Sequence, residues 1–448
     1  MLNLFHGWRR TFSHGLHPPE HKELTADKRV VRLPFPEVVY VPLSQHTGAP
    51  AEPLVRPGQE VVRGEPIAKA VGFVSVPMHA PATGRVREIT GIPTPRGQLV
   101  RSIVIDVYPS SDQSVLYGAP QDIATMTPDE LVQAVQDTGV VGLGGAAFPT
   151  HVKLKVPEGK SVDTIIVNGC ECEPYLTTDH RLMVEQPEAV LRGLAVIRRA
   201  LSADRAIIGI EANKPDAAKA LEAVIRPEDR VEVCVVETKY PQGAEKMLIK
   251  SLLNREVPAG GLPADVGAAV FNVATLAQIG ELLPRRQGLI ERIVTVTGEG
   301  IEKPGNYLVA LGTPIRNVLD YAGLKDGKAR VIFGGPMMGS AIVSWDTPIT
   351  KGVSGILVLP APEESAAGAV RPCIKCGACV QACPIHLNPC FLGQLARVRD
   401  YDRMAADFHL MDCFECGCCT YVCPANIPLV QQFRVSKQIV RERKAAAS

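Results

Sequence analysis

No apolar run in this 448-residue chain reaches the ~18 residues that a membrane-crossing helix requires, so no transmembrane segment is predicted. The opening stretch, MLNLFHGWRRTFSHGLHPPEH, lacks the long apolar core of a secretory signal, so the chain is expected to stay on the cytoplasmic side. Neither sign of charge dominates, with 48 Lys+Arg against 47 Asp+Glu. A phosphate-backbone binder needs a basic excess, so no nucleic-acid partner is expected. What the chain has in quantity is cysteine, thirteen in all, with three early (Cys170, Cys172, Cys234) and ten between Cys373 and Cys423. An odd, clustered set in a chain without a signal argues against a disulfide framework and for metal or redox chemistry. At ~150 residues per domain, the length predicts about three domains.

The cysteine cluster contains two runs of one pattern, C-x2-C-x2-C-x3-C-P. The first is Cys373, Cys376, Cys379 and Cys383 before Pro384; the second is Cys413, Cys416, Cys419 and Cys423 before Pro424. This is the spacing of bacterial two-cluster ferredoxins, in which the fourth cysteine of each run ligates the other cluster. Cys373, Cys376, Cys379 and Cys423 are therefore assigned to one 4Fe–4S cluster, and Cys413, Cys416, Cys419 and Cys383 to the other. Zinc knuckles are the bland alternative, but zinc sites pair distant C-x2-4-C units and often use histidine. Cys390 and Cys418 fall outside the register and read as small buried hydrophobes. Leu387, Phe391, Leu395, Val398 and Met404 read as a helical bridge between the runs. Two clusters form a wire rather than an active site, so an electron donor site is needed elsewhere in the chain.

Residues 127–136 read as a helix with Thr127 as N-cap, Pro128 at N1 and Glu130 at N3. The loop that follows is rich in glycine, with Gly142, Gly144 and Gly145 before Phe148-Pro149. Gly142-x-Gly144-x-x-Ala147 matches a relaxed dinucleotide fingerprint, but it follows a helix and Pro149 interrupts the helix that should open there. What remains is a nest of bare backbone N–H groups suited to a phosphate or a flat ring. A β-rich run, 164–167, then ends in Asn168-Gly-Cys-Glu171-Cys-Glu173, at the strand end where open α/β sheets bind ligands.

These segments, GVVGLGGAAFPTHVKL and NGCECEPY, resemble GLRGRGGAGFPTGLKW and NADEGEPG of the 51-kDa FMN- and NADH-binding subunit of respiratory complex I. The resemblance implies non-covalent FMN held by Gly142, Gly144, Gly145 and Lys153, with Asn168 at the flavin and Glu171 beside it. It places Phe148 against the adenine of NADH and Glu173 at the nicotinamide end, as the catalytic pair. Weaker counterparts of two further motifs put Gly243, Glu245 and Asn272 at the cofactor. Leu143, Cys170 and Ala244 depart from the family pattern, where it has an arginine, an aspartate and an acid. Cys170 and Cys172 are expected to pack near the flavin.

Residues 40–90 resemble the barrel-sandwich of biotinyl and lipoyl carriers. Phe73 stands where the carrier lysine would be, which implies a scaffold without the carrier function. Residues 291–345 resemble the SLBB β-grasp module, as a spacer, and Glu363–Arg371 reads as a hinge. His17-Pro-Pro-Glu20-His-Lys22 and Pro42-Leu-Ser-Gln45-His46 lead into this domain order. The whole resembles the RnfC family, one component of the Rnf ion-translocating electron-transport complex. A cobalamin reductase with similar parts has them in a different order.

The expected architecture is multidomain α/β and α+β. It comprises an N-terminal extension (1–38), a β barrel-sandwich hybrid (39–110) and a complex-I-51-kDa-like α/β flavin domain (120–285). An SLBB β-grasp domain (290–362), a two-cluster ferredoxin-like domain (363–432) and a basic C-terminal helix (433–448) follow. The resemblance implies an NADH-dependent oxidoreductase subunit, peripheral on the cytoplasmic face of the inner membrane. Electrons would pass between NAD(H) and ferredoxin through FMN and two 4Fe–4S clusters. Its partners would be the membrane and iron–sulfur subunits of the complex, with ferredoxin indirect and Na+ or H+ as the coupled ion. Rival readings are a soluble NADH diaphorase subunit and an iron–sulfur adaptor with a decayed flavin site. His151 and His386 read as packing or surface residues. The basic residues of RVSKQIVRERK read as a solvated face, and Leu2, Leu4, Phe5 and Trp8 with Arg9 and Arg10 suit a partner or a membrane surface.

Overall fold

The computed structural model describes residues 10–361 and 368–447. Leu2, Leu4, Phe5, Trp8 and Arg9 lie outside the described residues, as does most of the expected hinge. The N-terminal extension is woven into the molecule. Leu16 forms an antiparallel bridge with Tyr240, and β1 (Val30–Arg32) joins the sheet of a later domain.

The barrel-sandwich is built from β2 (Val38–Pro42), β3 (Glu52–Pro53), β4 (Glu60–Val61), β5 (Pro66–Lys69), β6 (Met78–His79), β7 (Gly84–Pro93) and β8 (Leu99–Val107). One sheet has the order β2-β8-β7-β4 and the other β3-β5-β6. Val39, Val41, Ile67, Met78, Val86, Ile103 and Ile105 fill the space between them. The Val71–Ser75 turn between β5 and β6 does not swing free. His151 Nε2 donates to Phe73 O at 2.6 Å and Gln136 Nε2 to Ser75 O at 3.0 Å, clamping the turn to the next domain. His151 is thus a fully buried packing residue.

The flavin-type domain opens with α1 (Pro128–Asp137), whose capping box is complete. Thr127 Oγ1 accepts from Glu130 N, and the Glu130 carboxylate accepts from Thr127 N. Such a cap contributes about 1 kcal/mol. Then follow α2 (Thr150–Leu154), β9 (Thr164–Gly169), α3 (Thr178–Glu185), α4 (Pro187–Leu201), β10 (Arg205–Glu211) and α5 (Pro215–Glu222). β11 (Val231–Val236), α6 (Glu245–Leu253), β12 (Ala268–Asn272) and α7 (Val273–Leu282) complete the domain. The four strands are parallel in the order β11-β10-β9-β12. Ile165, Ile166, Val167, Ile208, Ile210, Val270 and Phe271 are buried, the continuous apolar strand expected of a sheet covered on both faces. The chain leaves β9 toward β10 but returns to β12 on the other side, so the topological switch point lies between β9 and β12.

The β-grasp unit comprises β13 (Glu291–Thr297), β14 (Gly305–Ala310), α8 (Ile315–Ala322), β15 (Ala329–Phe333), β16 (Ser340–Ala341) and β17 (Gly355–Pro360). Its sheet order is β1-β14-β13-β17-β15-β16, with β1 parallel to β14. Lys351, buried, donates to Pro77 O of the barrel (2.9 Å) and Gly139 O at the start of the glycine loop (2.7 Å). Burial pulls its amine down to about 7.

The last unit holds α9 (Ala378–Ala382), α10 (Pro389–Arg397), α11 (Tyr401–Ala406), α12 (Cys418–Tyr421) and α13 (Leu429–Ala447). Two expectations change here. The bridge buries Leu392, Leu395 and Met404, while Phe391 and Val398 are exposed, because α10 and α11 are separate helices with separate faces. The basic C-terminal stretch belongs to α13 and is not wholly solvated. Phe433 and Val440 are buried, and Lys437 donates to Cys413 O and Glu415 Oε1, both at 2.8 Å. Arg434 also pairs with Glu415.

Candidate functional site

The glycine loop is pinned at its base and bare at its tip. Gly142 N donates to Phe148 O at 2.7 Å and Ala147 N to Gly142 O at 3.0 Å. Gly144, Gly145 and Ala146 are exposed, and Phe148 is half-buried. Gly145 has φ +108°, a conformation side chains resist, and no heavy atom lies within 4 Å of where its Cβ would be. Leu143, the position of the family's arginine, points into the core, with its N–H donated to Thr275 Oγ1 at 2.9 Å. That departure therefore changes packing beneath the loop.

The loop lies over the crevice at the switch point. Asn168, next to last in β9, and Asn272, last in β12, are register partners. Asn168 Nδ2 donates to Gly243 O at 2.8 Å, and its Oδ1 accepts from Cys170 N. Asn272 Oδ1 caps α7, while its Nδ2 donates to Asp179 Oδ2 at 2.6 Å. Gly243 has no alternative, since a Cβ would stand 2.3 Å from Cys170 O. Lys153 Nζ binds Glu245 Oε2 at 2.7 Å and Val270 O at 3.2 Å, at the edge of the same strand ends. The set of bare amides, two carboxamides, an ammonium group and open space above Gly145 fits a phosphate-bearing flat cofactor such as FMN.

Glu171, expected at the cofactor, and Glu173, expected as half of the catalytic pair, both have other occupations. Glu171 is buried and spends both oxygens on the N-terminus of α3, accepting from Thr178 Oγ1, Asp179 N and His180 N. Glu173 accepts from Met337 N (3.1 Å) and Met338 N (2.7 Å) of the β-grasp unit, and burial raises its carboxyl to about 7. Neither job is visible in the motif, because both depend on groups that meet only in the fold. Burial pushes the thiols of Cys170 and Cys172 well above their ordinary range, so both stay protonated, as packing residues do.

Sequence reasoning assigned no role to Lys22 or Arg292. Lys22, buried, donates to the carbonyls of Glu171 (2.8 Å), Glu173 (2.9 Å) and Leu176. It fixes the whole turn that follows β9. Arg292 of β13 is buried beneath the loop and donates to Val353 O and Leu143 O. With Lys214, Glu171, Glu211 and Asp179 they form a buried set of three bases and three acids under the strand ends. Lys22 stands in the motif His17–Lys22, which flagged it without saying what it holds; Arg292 carried no sequence signal.

The ten C-terminal cysteines surround two cavities. Cys373, Cys376, Cys379 and Cys423 line one, together with Cys390. Cys383, Cys413, Cys416 and Cys419 line the other, together with Cys418. The fold thus brings the triple of each run to the fourth cysteine of the other. Each set of four thiols lines a cavity, as the ligands of a four-iron cube would. Cys418 is fully buried, as expected, but Cys390 is not: it is half-exposed with its Sγ 3.8 Å from Cys373 Sγ. The protein should carry about eight irons and eight acid-labile sulfides per chain. Cys376→Ala offers iron no ligand atom and should remove about four of each while flavin stays bound. Iron, sulfide and flavin assayed on one sample check it, and unchanged iron would refute the ligand assignment.

The two sites are joined. Tyr240, fully buried, donates its hydroxyl to Cys416 O at 2.6 Å. Three residues on, Gly243 holds Asn168 through its carbonyl and donates its N–H to Cys172 Sγ at 3.3 Å. The N-terminal segment adds a second tie, His14 Nδ1 to Cys383 O at 3.2 Å.

Four family models match in the order of the domains. They are the RnfC barrel sandwich hybrid domain at residues 10–108, the Nuo51 FMN-binding domain at 135–281, the SLBB domain at 293–341 and a 4Fe–4S dicluster domain at 372–427. A relative from Clostridium ljungdahlii, the C component of a proton-translocating ferredoxin:NAD(+) oxidoreductase complex, is 43% identical over 96% of this chain and 93% of its own. The Na(+)-translocating counterpart from Acetobacterium woodii is 44% identical over 99% of both. The C component of the ion-translocating oxidoreductase complex of Rhodobacter capsulatus is 40% identical over 96% of this chain and 83% of its own. Among solved structures, an NAD+-reducing nickel–iron hydrogenase in the H2-reduced state shares the fold at 20% identity and TM-score 0.51, over 71% of this chain and 61% of that one. With identity above 40% sustained across essentially the whole length and all four domain models in sequence, the chain belongs to the RnfC family, the C component of Rnf-type ferredoxin:NAD(+) oxidoreductase complexes.

Proposed function

We propose that this chain is the peripheral electron-input subunit of an Rnf-type ion-translocating complex, on the cytoplasmic face of the membrane. It transfers electrons between NAD(H) and, through partner subunits, ferredoxin. Bound FMN would supply the conversion between hydride transfer and single-electron transfer. The observation that carries the reading is the Tyr240–Gly243 segment, which touches Asn168 at one end and Cys416 at the other. It favours the Cys383, Cys413, Cys416 and Cys419 cluster as the one nearer the flavin. The other cavity then faces the partner, since Cys373 and Cys376 are exposed. The open glycine loop and the paired Asn168 and Asn272 speak against an adaptor whose flavin site has decayed.

Among the described residues no helix is long and apolar enough to cross a membrane. The chain alone should oxidise NADH with ferricyanide and move no ion. Relatives of nearly equal identity are named for protons and for Na+; on this reading the coupling ion is chosen by other subunits.

Phe148 is the proposed adenine platform. Base–aromatic stacking contributes ~1–3 kcal/mol, so Phe148→Ala should raise the NADH requirement by roughly ten- to a hundred-fold. Flavin content should not change, because the loop is held by the Phe148 backbone. Steady-state kinetics with flavin quantified in the same sample test this. An unaltered NADH dependence would place the nucleotide elsewhere.

A further inference from the structure

The cavity lined by Cys373, Cys376, Cys379 and Cys423 contains a thiol that the ferredoxin pattern does not use. Cys390 is the second residue of α10, just after Pro389 and the Asn388 cap, whose side chain accepts from Phe391 N at 3.1 Å. Its Sγ faces Cys373 Sγ at 3.8 Å, and Gln394 Nε2 donates to it at 3.6 Å. The two sulfurs differ in their supports. Cys373 is exposed on irregular backbone ahead of the short helix α9, and its Sγ accepts from Lys375 N at 3.4 Å. Cys390 is half-buried on a capped helix.

Thiolates that hold different corners of a four-iron cube have the cube between them. Two sulfurs that face each other across 3.8 Å, on the same cavity wall, address one corner. An iron of the cube is bonded to three sulfides and has one further position to fill. We propose that Cys390 and Cys373 are interchangeable ligands to a single iron of this cluster, a deepening that rests on the cluster assignment above. In the exchange an iron–sulfur bond to Cys373 breaks and one to Cys390 forms. Cys390 gives up its proton, Cys373 takes one up, and no electron moves. The chain therefore holds a spare ligand at its more exposed cluster, where Cys373 lies open to solvent.

The test uses the full chain purified without oxygen, as Cys373→Ala, Cys390→Ala and the double variant, with Cys376→Ala as reference. Alanine is chosen because a serine oxygen can itself bind iron. Iron and acid-labile sulfide are counted, flavin is measured in the same sample, and the reduced protein is examined by electron paramagnetic resonance. Each single variant should keep about eight irons, and the double variant about four. Cys373→Ala should shift the resonance of one cluster, reporting the new ligand. Loss of about four irons from either single variant overturns the exchange, and so does a double variant that keeps about eight. Retained flavin certifies the fold; if the double variant loses flavin too, the iron content of Cys373→Ala alone decides. A wild-type chain without iron would refute the cluster reading itself, a result distinct from failure of the exchange.

Discussion

Gly144→Val is expected to weaken flavin binding by roughly ten- to a hundred-fold while both clusters survive. Gly144 is exposed at the tip of a loop whose base is locked by the Gly142–Phe148 pair. A Cβ there would already touch Asn272, at 3.4 Å from its Cβ and Nδ2. The two further methyl groups of valine must then press on Asn272 or stand over the loop, where the cofactor is to lie. Overpacking of this kind costs about 1–3 kcal/mol, which is roughly a ten- to hundred-fold loss of affinity. Asn272 cannot yield easily, because its side chain both caps α7 and binds Asp179. The clusters sit in a separate helical unit and should keep their iron. Flavin released on precipitation, set against iron per chain, gives the answer. Flavin bound by the variant with unchanged affinity would show that this loop is not the cofactor cradle.

Lys22→Met should destabilise the flavin domain by about 3 kcal/mol. Three carbonyls, those of Glu171, Glu173 and Leu176, lose one shared donor in the interior. Each unsatisfied buried group costs about 1–3 kcal/mol. Part of this is offset, because burial itself disfavours the charged amine and lowers its pKa. For a unit of this size, 1 kcal/mol corresponds to about 2–4 °C, so the thermal transition that releases flavin should fall by roughly 6–12 °C. Flavin fluorescence during heating measures it. A shift below ~2 °C would mean that Lys22 does not hold the turn after β9.

The sequence alone determined the features whose partners are close along the chain. The capping box of α1 lies within four residues. Each cysteine triple lies within seven, so its spacing specified cluster chemistry before any fold was known. The glycine loop and the strand ending at Asn168 were legible for the same reason, as was the order of the four domains. What the tertiary structure decided involves groups far apart in sequence. Lys22 meets Glu171 across 149 residues, and Arg292 reaches Leu143 across another 149. Tyr240 touches Cys416 across 176. The same physics redirected Glu171 and Glu173, whose motif suggested a cofactor but whose nearest donors are a helix terminus and a β-grasp turn. It turned Cys390 toward Cys373, because a helix beginning at Pro389 aims its second residue at the cavity. Local spacing sets which atoms an element offers; only packing sets what each atom meets, since a buried polar group must be satisfied by whatever the fold brings to it.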